Sequence, residues 1–139
     1  MNTKRTITLT LALAATTLAP AAALARHGAD DRAGDSHGGS TAKHVTGACS
    51  RGSSSKLKLK PSNQRLETEF EVDQNRSGVR WKVTIRHNGR VAVKTNATTK
   101  APSGSFSIER RLANVSGSDR VTATASSPSG EVCRASVTA

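Results

Sequence analysis

Three glutamates stand at alternate positions, Glu67, Glu69 and Glu71, and paired carboxylates can hydrolyse glycosides by serving as acid and base. That chemistry needs one carboxyl withdrawn from water so that it keeps its proton. Here the acids alternate with Leu66, Thr68, Phe70 and Val72, so they point to the outer side of a strand, opposite lysines. The row reads as a salt-bridged surface. Nucleophilic catalysis needs a base held against a serine or cysteine. After residue 47 the sole histidine is His87, at a hairpin tip, and both cysteines are expected to be oxidised. No catalytic constellation results, and the chain is expected not to be an enzyme. His27, His37 and His44, with Asp30, Asp31 and Asp35, carry donor atoms for a metal. Their spacing fits no compact ligand set, and a flexible chain has no preformed geometry. No metal or other cofactor is expected.

One pattern of charge remains. Strand parity sends Arg80, Lys82 and Arg86 outward together, beside Lys94, Arg120 and Arg134. These six form the candidate site for an anionic ligand. Phe70, Trp81 and Phe106 are assigned to the core, which leaves no ring for stacking on bases or sugars. Binding through such a face would therefore follow charge density. The alternative is a solubilising face without a ligand.

The charge is unevenly placed along the chain. Removing Lys4 and Arg5 from 21 basic residues leaves 19 against 10 acidic ones, a net +9. Arg26, Arg32 and Lys43 balance Asp30, Asp31 and Asp35, so the whole excess falls on residues 48–139. Such a balance favours anionic partners and says nothing about fold.

Two segments precede that basic part. Lys4 and Arg5 open an uncharged stretch from Thr6 to Ala25 that ends in Ala23-Leu24-Ala25, the small-x-small pattern that signal peptidase accepts. Residues 1–25 are read as a signal peptide, which makes the protein secreted. The alternative is a retained anchor, since the stretch is nearly long enough to span a bilayer. Pro20 and its small neighbours favour processing. Residues 26–47 hold almost nothing apolar and are read as a disordered linker. In an exported chain the isolated pair Cys49 and Cys133 is most simply a disulfide. Closing so long a loop contributes roughly 4–5 kcal/mol in the chain-entropy model.

From residue 55 onward the apolar period is two, the mark of half-buried strands. Ser55–Lys60 and Arg65–Val72 make a hairpin around the turn Pro61-Ser62-Asn63-Gln64. A four-residue loop pairs Leu59 with Leu66 and Leu57 with Thr68, and sets Lys58 beside Glu67 and Lys56 beside Glu69. A second hairpin joins Val79–His87 to Arg90–Thr95. There a three-residue loop with Gly89 left-handed pairs Ile85 with Val91 and Val83 with Val93. Ser105–Arg111, Arg120–Ser126 and Glu131–Thr138 complete the set. Six or seven short strands at such intervals predict an all-β, single immunoglobulin-like antiparallel β-sandwich over residues 48–139. The third, fourth, sixth and seventh strands share the basic sheet, and Glu131 is its nearest acidic candidate, at the margin.

The runs RGSSSKLKLKP, WKVTIRHNGR and GEVCRASV resemble small uncharacterised secreted proteins of actinobacteria with an immunoglobulin-like domain. The resemblance covers residues 48–139 and implies export and a sandwich, with no activity attached. The expected partner is an anionic polymer of the cell envelope, such as a wall phosphodiester, acidic glycan or nucleic-acid backbone. The alternative partner is another extracellular protein, met through the loops of an inhibitor or adaptor.

Overall fold

A computed structural model describes residues 41–139; the stretch read as a signal peptide and most of that read as a linker lie outside the described residues. Eight strands follow one another, with no helix among them: β1 Lys43–Cys49, β2 Ser54–Ser62, β3 Arg65–Asp73, β4 Arg80–His87, β5 Arg90–Thr98, β6 Ser105–Ala113, β7 Arg120–Ser126 and β8 Val132–Thr138. All pairings are antiparallel, and the strands form one continuous sheet in the order β5-β4-β7-β8-β1-β2-β3-β6. The two end strands meet at the 99–104 turn, where Lys100 bridges Ser105. The result is nearly a barrel, with eight strands in place of the six or seven expected.

The additional strand is β1, and it makes the sheet continuous. Lys43–Gly47 pairs with β2, then Ala48 and Cys49 pair with β8. The strand thus begins inside the segment expected to be linker. Only Val45 and Cys49 of β1 pack against the core, so its polar composition hid it. The crossing needs Gly47. A Cβ there would meet Ser55 Oγ, and would lie 2.6 Å from the Arg134 carbonyl and 2.9 Å from Ala135 Cβ. Just beyond, Cys49 and Cys133 are direct cross-strand partners and are joined by a disulfide.

Both hairpin registers differ from expectation by two residues. Asn63 (φ 32°) and Gln64 (φ 64°) are both left-handed, which makes a two-residue turn of the hairpin-favoured kind. Leu59 therefore faces Thr68, Leu57 faces Phe70 and Lys58 faces Glu69. Pro61 stays in the strand, where β1 no longer pairs, so its missing N–H removes no ladder bond. Asn88 (φ 48°) and Gly89 (φ 81°) repeat the same turn between β4 and β5. A bulge between Ile85 and Arg86 then absorbs Ala92 and sets Ile85 opposite Val93, not Val91. Val91 is left 51% exposed. Because side chains alternate with period two, a shift of two keeps residues on their faces; Val91, set opposite Arg86 by the bulge, is the exception.

The core is built from that parity. Leu57, Leu59, Leu66, Phe70 and Val72 come from one half, and Trp81, Val83, Ile85, Val121 and Cys133 from the other, all fully buried. Each large apolar side chain so buried contributes roughly 1.5–3 kcal/mol. Bulk on β4 is matched by small residues on its neighbour, with Val83 opposite Ala125 and Ile85 opposite Ala123. Trp81 tilts against Phe106, ring centres 6.2 Å apart, and its indole N–H donates to Gln74 Oε1 at 3.2 Å.

Candidate polyanion-binding face

The outer side of β5-β4-β7-β8 carries all six candidate cations. Arg80, Lys82 and Arg86 on β4, Lys94 on β5, Arg120 on β7 and Arg134 on β8 are all exposed. The inward partners Trp81, Val83 and Ile85 fix the β4 trio, because burying one parity forces the other outward. Register then sets the rows. Lys94, Thr84, Thr124 and Arg134 lie side by side across four strands, and Arg86, Thr122 and Ser136 make the next row. Neighbouring strands are about 4.8 Å apart, so Lys94 and Arg134 are separated by roughly 14 Å.

Among the described residues no carboxylate lies within 4.0 Å of any of the six; the ion pairs are Lys58–Glu69 and Arg111–Glu67, and Asp119 is engaged by His87. The acids are elsewhere. Glu67, Glu69, Glu71 and Asp73 sit on β3 and Glu109 on β6. There Lys58 reaches Glu69 at 3.8 Å and Arg111 reaches Glu67 at 3.9 Å, as exposed pairs of small worth. Glu131 is not a marginal counter-charge to the face. It is 4% exposed and accepts the Ser53 N–H at 2.9 Å.

A clamp missed by sequence reasoning shapes one end of the face. Asp119, 1% exposed, is hydrogen-bonded by His87 Nε2 and accepts from Asn88 Nδ2 at 3.3 Å and the Val115 N–H at 3.2 Å. The Asn88 N–H donates to the Arg120 carbonyl at 2.8 Å, and the Arg120 N–H returns to Asn88 Oδ1 at 2.8 Å. This ties the β4–β5 turn to the start of β7, and so sets Arg86 against Arg120. An Asp in a polar turn and a His at a hairpin tip carry no periodic signal, so only the fold brings them together.

His44 lies on β1, whereas His27 and His37 are outside the described residues. Among the described residues no three His, Cys, Asp or Glu side chains converge as metal ligands. No family model, curated protein or solved structure matches this chain.

Proposed function

We propose that the chain is an exported, non-enzymatic module of immunoglobulin-like architecture that binds anionic polymers through the β5-β4-β7-β8 face. The observation that carries this reading is six exposed cations on one face, with no carboxylate in salt-bridge range among the described residues. Cations left unpaired raise the local potential and draw polyanions. Cell-wall phosphodiesters, acidic glycans and nucleic-acid backbones share the required chemistry. The Cys49–Cys133 bond supports an oxidising compartment outside the cytosol. The architecture is supported by strand order. Without β1, the halves β2-β3-β6 and β5-β4-β7-β8 follow the immunoglobulin arrangement, with Trp81 on the third strand.

The test is retention on an immobilised polyanion at low salt. Replacing Arg80→Glu, Lys82→Glu and Arg86→Glu together should abolish it. The matched set Lys56→Glu, Lys58→Glu and Lys60→Glu should only weaken it. Equal weakening by both sets overturns the reading.

A second reading, a protein-binding factor acting through loops, draws on Val91 and Val115, 51% and 45% exposed and lining one depression beside the β4–β5 turn. Salt separates the two. Polyanion binding fades steeply as ionic strength rises, and an apolar loop interface does not.

A further inference from the structure

We propose that the depression between Arg86, Arg120 and Arg134 seats one tetrahedral oxyanion, the phosphate or sulfate ester group of a polymer; this rests on the reading of the face just given. The depression is open, about 450 Å³, and its floor is Thr122 and Thr124. Three arginines line it from three neighbouring strands. Arg86 stands opposite Thr122 on one side of β7, Arg134 opposite Thr124 on the other, and Arg120 lies two residues earlier on β7 itself.

Two of the three are held by neighbours. Arg120 Nε donates to Ser136 Oγ at 3.3 Å, which leaves both of its terminal nitrogens unspent. Arg86 Nη1 donates to the Gly89 carbonyl at 3.1 Å. Holding the groups beforehand lowers the entropy lost on binding.

The hydroxyls add a donor. Thr122 Oγ1 and Ser136 Oγ are 3.1 Å apart. Between them they own two protons, and their mutual bond uses one. The remaining O–H proton is free to turn to water or to a ligand in the depression. Together the forks and the hydroxyl offer donors in several planes. A carboxylate, with two oxygens in one plane, is satisfied by a single arginine fork. A phosphate or sulfate ester has oxygens for the rest. Three like charges with no carboxylate nearby also repel one another, and a bound oxyanion removes that cost.

The experiment titrates the whole isotope-labelled chain with sodium phosphate, sulfate or acetate at constant ionic strength, followed by NMR. Saturable shifts are expected at Thr122, Thr124, Ser136 and the Arg120 Nε–H, with phosphate or sulfate and not with acetate. Whichever of the two ions binds more tightly identifies the ester. Ser136→Ala, which keeps the net charge, should weaken that ion about five-fold, the loss of one hydrogen bond. Equal response to acetate, or linear shifts spread over the whole face, overturns the subsite. If that happens while the Arg80, Lys82 and Arg86 reversal still abolishes column retention, polymer binding stands without the subsite. Saturable seating of the ion in a protein that no polyanion column retains overturns polymer binding and leaves the subsite.

Discussion

His87 hydrogen-bonds through Nε2 to Asp119, whose carboxylate is 1% exposed and also accepts from Asn88 and the Val115 N–H. Asp119→Ala would leave all three donors without an acceptor. Stability should fall by about 1–3 kcal/mol, the usual cost of leaving buried donors without their acceptor. Denaturant unfolding measures it, and an unchanged midpoint would show the clamp to be dispensable.

Cys49 and Cys133, 84 residues apart, are bonded, so denatured, unreduced protein should show no free thiol. Cys49→Ser should cost about 4.5 kcal/mol by loop entropy. For a domain of this size that lowers Tm by roughly 20–30 °C. Calorimetry decides, and a loss of only a few degrees would contradict the prediction.

Gly47 is the point where β1 passes from β2 to β8. Gly47→Ala presses a methyl group against Ser55 on β2 and against the Arg134 carbonyl and Ala135 on β8, so both flanking strands are in the way. The expected loss is about 1–3 kcal/mol. Gly52, with nothing within 4 Å of a built Cβ, provides the control, and Gly52→Ala should be nearly neutral.

Gln64 holds φ 64° in the β2–β3 turn, a conformation that glycine adopts without penalty. Gln64→Gly should therefore stabilise the protein, by about 0.5–1 kcal/mol. A destabilised variant would mean that the side chain contributes more than the backbone strain costs.

Processing after Ala23-Leu24-Ala25 predicts that protein recovered from the medium begins at Arg26. N-terminal sequencing checks this. A membrane-bound form that still carries Met1 would refute export by cleavage.

Alternation of apolar and polar residues was enough to place Arg80, Lys82 and Arg86 outside, while the grouping of β4, β5, β7 and β8 followed from the sandwich layout. Alternation could not choose between registers two residues apart, because in the β2–β3 hairpin these bury the same side chains and in β4–β5 they differ only around the bulge, at Val91. Turn geometry made that choice, through left-handed Asn63 and Gln64 and through the bulge at Ile85. β1 was illegible for another reason. Its KHVTGAC sequence buries little by itself, and its partners come from opposite ends of the domain. The Asp119 clamp and the Glu131–Ser53 bond join loops distant in sequence, which no periodicity can report.

The placement of β1 also decides how the protein bears mechanical load. Tension applied at Lys43 and Thr138 can peel β1 from β2 and β8 only as far as Cys49, where the disulfide passes the force straight to Cys133 on β8. The peeled length is six residues, about 20 Å. The strands between the two cysteines, with Arg86 on β4 and Arg120 on β7, stay off the line of pull, whereas Arg134 lies on the loaded end of β8. A cargo held by Arg80, Lys82 and Arg86 of β4 would therefore rest on a strand that the disulfide shields from the stretch.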